Sequence, residues 1–304
     1  MKAIQYNIPL KANSALKLGL FSDIHFDSPD CDKVTLKKHF DYCLKDNRYI
    51  IIGGDLFDAI LLKDQKRAVN HLMEKNDNQL NIKINEIVEF LKPYQHLILF
   101  IGRGNHEESI LKYNGLDVLQ IVTQLLNSKS KHQIQFGNYA NFLRFNFLDN
   151  RGKSVLHYDI FENHGAGANA PQTKGMLDFS RIAKGTVADL IWIGHKHNAI
   201  ADYSDPIMYI DRVGEVKMKN RQFLQTPSYQ KGRTVNDHNI NFAERFYSHQ
   251  ALPGFGSVEL IPSIDNGKYT LNSDVRIVVN PNAKIGDLQT YRLKLIERQK
   301  QSQK

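Results

Sequence analysis

Five short blocks of the sequence together supply histidine, carboxylate and amide side chains. They are Asp23-Ile24-His25, Gly54-Asp55-Leu56-Phe57-Asp58, Gly104-Asn105-His106-Glu107, His164-Gly165 and Gly194-His195-Lys196-His197. Hard oxygen ligands mixed with imidazoles suit Mn, Fe, Zn or Ni better than Ca or Mg. Two such ions held roughly 3.5–4 Å apart stabilise both the attacking and the leaving oxygen in phosphoryl transfer. The residue types therefore favour a two-metal site that acts on phosphate esters.

Each block follows a stretch that is typical of a buried strand. Short apolar runs cover residues 16–21, 49–52, 96–101 and 191–193, and a β-pattern over residues 133–162 precedes His164. Glycine closes most of these runs, as it commonly does at the end of a buried strand. In layered α/β proteins the loops at the carboxyl ends of the strands meet at the ligand site. We therefore expect the five blocks to gather in space.

The rest of the pattern predicts a layered fold in one unit. Apolar residues at helical spacing predict helices over residues 33–46, 64–74, 82–91 and about 116–126, and a helix followed by a strand over residues 177–193. Strand-like runs follow at residues 208–213, 222–224, 257–261 and 275–279. Strands that alternate with helices argue for an α/β layer with buried strands. Since no Pro-, Gly- or Ser-rich linker divides the chain, we expect one domain over residues 1–288 and a short tail over residues 289–304.

Composition narrows the protein class further. The 304 residues are 41% apolar and 24% charged, which is ordinary for a folded protein. Two cysteines cannot make a disulfide-rich scaffold, so histidine and carboxylates must supply any metal ligands. No apolar run is as long as a membrane span, and the N-terminal residues lack the pattern of a secretory signal. We therefore expect a cytoplasmic protein with reduced thiols and no membrane partner.

The net charge of +8 gives less information than its size suggests. The last sixteen residues hold five Lys or Arg and a single Glu, so this tail carries about half of the excess. A basic tail is usually solvated, and contact with nucleic acid is the more specific but less common alternative.

The ordered series of blocks resembles the calcineurin-like metallophosphoesterase superfamily. All five motifs, D-x-H, G-D-x-x-D, G-N-H-E, H-G and G-H-x-H, occur in order between Asp23 and His197. Single motifs of this kind are weak, but the full series is specific. The resemblance implies an α+β fold in four αββα layers, with two mixed sheets flanked by helices. Because Ala59-Ile60 replaces the Arg-Gly usual in Ser/Thr protein phosphatases, the chain is more similar to the other branches that carry G-H-x-H.

The resemblance also implies a role for each motif residue. Seven residues would be metal ligands: Asp23, His25 and His197 for the first ion, Asp55 as the bridge, and Asn105, His164 and His195 for the second. A water or hydroxide between two divalent ions would attack phosphorus in line, with Mn favoured and Fe, Zn or Ni as alternatives. His106 would not be a ligand but would protonate or stabilise the leaving oxygen. Asp58 would orient His106 by accepting its other N–H.

Simpler interpretations remain open for individual residues. Asp23 and His25 could be ordinary loop residues after a strand, with Asp23 as a helix cap. Asp55 and Asp58 could be turn carboxylates, and Asn105 could be a turn residue. The complete series weighs against these interpretations. His157 is a rival to His164. It falls inside the strand pattern, whereas His164 precedes a small-residue loop with room for a substrate, so we favour His164.

The expected activity is hydrolysis of a phosphoester, with a lean towards phosphodiesters and nucleic acid as the leading substrate. A phosphomonoesterase acting on a small metabolite, nucleotide or phosphoprotein is the first alternative, and a catalytically silent binding protein is the second. Residues 60–93, 166–174 and 229–256 are the candidate substrate-selecting elements. The third element interleaves cations with aromatics, a composition that suits nucleic acid and equally an ordinary packed loop. The sequence names no protein partner.

Overall fold

Two six-stranded mixed sheets form the body of the protein. The computed structural model describes residues 1–58, 79–128, 130–167, 173, 175–211, 213–231 and 251–281, except for the side chains of residues 79, 203 and 204. The helix predicted over residues 64–74 and the basic tail lie outside the described residues. Among the residues that are described, none of the helices is both long and apolar enough to cross a membrane.

The elements alternate along the chain much as their apolar patterns predict. The strands are β1 (Lys2–Pro9), β2 (Leu16–Phe21), β3 (Tyr49–Gly53), β4 (Ile98–Gly102), β5 (Gln135–Phe136), β6 (Ala140–Leu148), β7 (Ser154–Asn163), β8 (Leu190–Ile193), β9 (Ile200–Ile210), β10 (Val216–Gln225), β11 (Phe255–Asp265) and β12 (Lys268–Val278). The helices are α1 (Lys33–Lys45), α2 (Gln79–Leu91), α3 (Asn105–Asn114), α4 (Val118–Asn127) and α5 (Met176–Gly185), and a 3₁₀ turn covers Lys92–Tyr94.

Three apolar clusters separate four layers. One lies between α1, α2 and α4 and the sheet ordered β12-β11-β2-β3-β4-β5. The second lies between that sheet and the sheet ordered β1-β6-β7-β8-β10-β9, and the third lies between the latter sheet and α5. Alternation along β3 shows how one strand serves two clusters, since Ile50 and Ile52 face the helices while Ile51 faces the other sheet. The expected αββα sandwich of two mixed sheets flanked by helices is confirmed.

The register of the parallel strands aligns the ends from which the motif loops start. In the first sheet Phe21 lies beside Ile52, and Gly53 lies beside Gly102. In the second sheet the last residue of β7, Asn163, lies beside the last residue of β8, Ile193. Because these strands run in the same direction within each sheet, their following loops meet at one end of the sandwich.

One α-helix and one strand were absent from the sequence prediction. Helix α3 begins at Asn105, inside the third block, and the polar ligand-type residues of its first turn hide its helical period. Strand β1 exposes most of its residues and buries Ile4, so it lacks the apolar run of a central strand. Its position depends on parallel pairing with β6, which begins more than a hundred residues later.

Candidate metal centre

The loops after β2, β3, β4, β7 and β8 bring all nine candidate residues to one end of the sandwich. Two groups of potential ligand atoms, each with all its atoms within 4.8 Å of one another, correspond to the two expected sets: Asp23, His25 and His197, and Asp55, His164 and His195. A third group, His25, Asp55 and His106, shares His25 with the first group and Asp55 with the second. The geometry therefore suits more than one divalent ion.

The backbone at these positions is strained. Eight non-glycine residues of the described chain have positive φ, and five of them belong to the cluster: Asp23 (52°), His25 (47°), Asp55 (50°), His195 (66°) and His197 (56°). This conformation costs an L-residue about 1–2 kcal/mol. Such strain persists only where the surrounding structure enforces it, and it concentrates at functional sites. The loops are thus shaped to aim these side chains inward rather than to relax.

The Asp55 carboxylate lies between the two groups. Its Oδ2 is 3.1 Å from His164 Nε2 and 3.8 Å from both His25 Nε2 and His106 Nε2. Its Oδ1 accepts a hydrogen bond from the main-chain N–H of His106 at 3.0 Å. The Asp55 carboxylate is therefore within 4 Å of imidazoles from both groups.

His164 presents one ring nitrogen to the cluster and uses the other to fix its orientation. Its Nδ1 donates to Gly53 O at 3.1 Å, and its Nε2 faces Asn105 Oδ1 at 3.2 Å. A ring N–H donated to a main-chain carbonyl is the usual arrangement around a metal-binding histidine. The rival His157 is exposed on β7, 3.9 Å from Asp159, and it does not join the cluster.

His25 tests whether the cluster fits a metal. Its side chain is 2% exposed, and neither ring nitrogen makes a hydrogen bond among the described residues. Its Nδ1 lies 3.3 Å from Asp58 Oδ1. A buried polar nitrogen left without a partner is destabilising, and coordination of a cation would satisfy the Nε2, which faces Asp55. The donor set of imidazoles, carboxylates and one amide suits a transition-metal ion.

His106 is held by Asp58 in a different way from the one expected. The main-chain carbonyl oxygen of Asp58 accepts from His106 Nδ1 at 2.5 Å, while the Asp58 carboxylate lies 3.5 Å away. That carboxylate is closer to His25 Nδ1. Asp58 therefore faces both imidazoles, and its carbonyl rather than its carboxylate fixes the ring of His106.

Opposite charges dominate the ionisation of the first group. Burial alone would raise the pKa of Asp23, but a hydrogen bond from His197 and the nearby imidazoles lower it to about 2. Burial alone would lower the pKa of His25, but its contact with Asp58 and the charge of Asp55 raise it to about 9. At neutral pH Asp23 is therefore ionised, and His25 carries a proton.

The two histidines of the second group have pKa values shifted in opposite directions. The charge of Asp55 outweighs burial and raises the pKa of His164 to about 10, and His164 in turn holds the pKa of Asp55 well below its ordinary value despite burial. Burial and the charge of His164 lower the pKa of His195 to about 4. Near pH 7 His195 is therefore neutral, whereas His164 carries a proton.

Two further residues hold the loops, and sequence reasoning did not single them out. The Glu107 carboxylate accepts from the main-chain N–H groups of Asp55 (3.1 Å), Phe57 (2.9 Å) and Gly104 (2.9 Å). Lys196 Nζ donates to the carbonyls of Ala166 (2.6 Å) and Gly167 (2.8 Å), which joins the loops after β7 and β8. A Glu three residues after a helix N-cap is a capping-box signal that could have identified Glu107.

Most of the candidate substrate-selecting segments lie outside the described residues: residues 60–78, 168–172, 174 and 232–250. They include most of the aromatic and basic residues of the third segment, but not Tyr229, Lys231 or Phe255. The described site residues are consequently those of the metal cluster and its supports.

Comparison with known proteins gives one family and several distant structures. The model of the calcineurin-like phosphoesterase family matches residues 16–199. Among solved structures, Vacuolar Protein Sorting 29 from Cryptosporidium parvum is 12% identical, covering 87% of this chain and 99% of its own, with a TM-score of 0.35. GAP50 of Plasmodium is 13% identical over 91% and 94%, with a TM-score of 0.40. A metallophosphoesterase from Sphaerobacter thermophilus is 11% identical over 92% and 94%, with a TM-score of 0.31. At such TM-scores these structures carry no argument about this chain, and the curated proteins give no match.

Proposed function

The chain belongs to the calcineurin-like phosphoesterase family, and on that premise we propose that it is a metal-dependent phosphoesterase that acts at the cluster of nine residues. The observation that carries the proposal is the position of Asp55, whose carboxylate lies between two groups of potential ligands. A single structural histidine or turn carboxylate would not need such neighbours. Five left-handed residues at the same place support a site under functional constraint.

The metal ligands that we propose are those of the two groups. Asp23, His25 and His197 would hold one ion, Asn105, His164 and His195 the other, and Asp55 would contact both. When bound, two divalent ions supply Lewis-acid stabilisation of the phosphate and a water acidic enough to act near neutral pH. We favour Mn²⁺, with Fe, Zn or Ni as alternatives, because the donor set mixes imidazole nitrogen with carboxylate and amide oxygen.

His106 is the proposed proton donor to the leaving oxygen. Because its Nδ1–H is donated to Asp58 O, its Nε2 is the nitrogen that faces the cluster. Its side chain is 14% exposed, against 0% for His164 and 2% for His25, so it lies nearer the open side of the site. A proton held at Nε2 of the imidazolium can pass to an oxygen that leaves phosphorus.

For the substrate we propose a phosphodiester, with nucleic acid as the first candidate, and a phosphomonoester as the alternative. This preference rests on the family branch that the motifs resemble. Purified protein with Mn²⁺ should hydrolyse bis-p-nitrophenyl phosphate faster than p-nitrophenyl phosphate. A panel of single-stranded and double-stranded nucleic acids then separates the two substrate classes. Activity on the monoester alone would overturn the preference for diesters.

Asp55→Ala tests the site itself. The variant should lose metal binding and hydrolysis together, because its carboxylate faces both groups. Asp274→Ala is the matched control, since this carboxylate is half exposed on β12 and pairs with Arg276 away from the cluster. Retained activity in Asp55→Ala, or an equal loss in Asp274→Ala, would refute the proposed site.

A further inference from the structure

A chain of three buried hydrogen bonds leads from Trp192 to the Asp23 carboxylate. Trp192 Nε1 donates to Thr226 Oγ1 at 2.9 Å, Thr226 Oγ1 lies 2.6 Å from Ser22 Oγ, and Ser22 Oγ donates to Asp23 Oδ2. Ser22, Asp23 and Thr226 are 0% exposed, and Trp192 is 1% exposed. The residues come from three separate parts of the chain, so the fold alone assembles this contact.

The chemistry of the partners fixes the direction of the chain. An indole N–H can only donate, so the Thr226 oxygen accepts. The ionised carboxylate of Asp23 can only accept, so the Ser22 hydroxyl proton is committed to it. The bond between the two hydroxyls must then run from Thr226 to Ser22. All three donors point towards the negative charge, and hydrogen bonds in such a chain polarise and strengthen one another.

The two carboxylate oxygens of Asp23 have different partners because the hydrogen-bond chain ends on only one of them. Ser22 occupies Oδ2, whereas Oδ1 lies 3.5 Å from His197 Nε2 and 3.9 Å from His164 Nε2. The main-chain N–H of His195 donates to both oxygens, at 2.9 and 3.0 Å, and so prevents the carboxylate from rotating. Oδ1 is therefore the oxygen that faces the imidazoles.

Close contacts at two glycines leave the hydrogen-bonded side chains no room to shift. A Cβ at Gly194 would lie 2.8 Å from Asp23 Oδ2 and 2.9 Å from Ser22 Oγ. A Cβ at Gly53 would lie 2.6 Å from Cη2 of Trp192. The indole thus packs against the strand that leads to Asp55 while its N–H serves Asp23. The close fit makes the hydrogen-bond geometry a fixed property of the site.

We propose that Trp192, Thr226 and Ser22 are positioning residues that present Asp23 Oδ1 and thereby set the affinity of the Asp23–His25–His197 group for its metal. Because this role rests on the proposed metal-dependent function, its test measures metal binding rather than hydrolysis. Among the described residues, the side chains of Trp192, Thr226 and Ser22 make no hydrogen bond to Asn105, His164 or His195, so their loss should weaken one site and spare the other.

The test compares Thr226→Val with Thr226→Ser. Valine keeps the shape but removes the hydroxyl, whereas serine keeps the hydroxyl. Calorimetric titration with Mn²⁺ should show one dissociation constant weakened about 10- to 100-fold in Thr226→Val, the range for loss of a partner of a metal ligand. The other constant should stay near the wild-type value, and Thr226→Ser should retain both.

Thr123→Val is the matched control for the loss of a buried hydroxyl. Thr123 is 3% exposed, and its Oγ1 donates to Leu119 O at 2.7 Å in α4, away from the cluster. Its substitution should lower the melting temperature of the metal-free protein and leave both Mn²⁺ constants unchanged. Ser22→Ala removes the last bond of the chain directly and keeps the test decisive if Thr226→Val does not fold.

The affected site is assigned by repeating Thr226→Val in two backgrounds. In His195→Ala, which lacks a ligand of the second group, the weakening should persist; in His197→Ala it should disappear. Wild-type protein that binds Mn²⁺ but shows no difference between Thr226→Val and Thr226→Ser, or equal weakening of both sites, would overturn the positioning role alone. Wild-type protein that binds no divalent metal would overturn the proposed function and this role with it.

Discussion

Gly104 and Asp55 lie closer together than any side chain at position 104 would permit. Gly104 is extended, with φ −105° and ψ −173°, a conformation that any residue adopts. The requirement for glycine is therefore one of space rather than of backbone freedom. A Cβ here would meet Asp55 N and Oδ1 and would lie 2.7 Å from Asp55 Cγ. Carbon atoms pack at about 3.5–4.0 Å, so Gly104→Ala must separate the two loops by about 1 Å.

The consequences follow from which atoms must move. Asp55 N belongs to the main chain, so a rotamer change cannot relieve the contact. The carboxylate of Glu107 bonds both Asp55 N and Gly104 N, and separation of the loops strains these bonds. Overpacking of this kind typically costs 1–3 kcal/mol, and we expect the free energy of unfolding of the metal-free protein to fall by about 2–3 kcal/mol. A 1 Å displacement at a reacting centre costs on the order of 100-fold in rate.

Gly185→Ala is the matched control. Gly185 ends α5, has no positive φ, and a Cβ there meets nothing within 4 Å. Its substitution should change stability by less than about 1 kcal/mol, the difference in helix propensity. Urea unfolding gives the stability of both variants, and Mn²⁺ titration with bis-p-nitrophenyl phosphate hydrolysis gives their function. If Gly104→Ala matched Gly185→Ala in all three measurements, the close approach of the two loops would not matter, and the reasoning would be refuted.

Two further predictions concern protons and loop support. Since the pKa values of His25 and His164 are raised to about 9 and about 10, Mn²⁺ must displace about two protons at pH 7, and affinity should rise with pH up to that range. Calorimetry in buffers of different ionisation enthalpy counts the protons, and release of none would contradict the assignment of these ligands. Glu107→Gln should lower the free energy of unfolding by about 1–3 kcal/mol and weaken both metals, because an amide turns a donor towards main-chain N–H groups. Glu108→Gln, at an exposed position beside it, is the control, and equal effects of the two substitutions in urea unfolding and Mn²⁺ titration would rule out the loop-joining role.

Much of the layered fold was predictable because buried parallel strands are short continuous apolar runs. β2, β3 and β8 begin and end within one residue of their predicted limits. The same signal fails where apolar residues are not buried. The run at residues 208–213 predicted a strand, but β9 begins at Ile200, and Met208 and Val213 are 73% and 79% exposed. The apolar run therefore identified part of strand β9 but not the full length of the strand.

The candidate ligands were predictable for another reason. Their identity is a matter of side-chain type and order along the chain, and both can be read from the sequence. Their supports use atoms that no pattern displays. The carbonyl of Asp58 holds His106, and three main-chain N–H groups bind Glu107. Thr226 contacts Ser22 across 204 positions of sequence, so only the folded sheets bring them together.

The strain of the site explains why these supports are extensive. Five left-handed residues at about 1–2 kcal/mol each amount to roughly the whole net stability of a typical domain. Without metal, the charge pairs of His25 and His164 with Asp55 offset part of this cost, and the apolar clusters on both sides of the sheets must offset the rest. A cation that displaced these protons would meet the side chains of the proposed ligands where the loops already hold them. The loops are therefore preorganised for the proposed metal site, and the free energy of metal binding would contribute to affinity rather than to ordering the site.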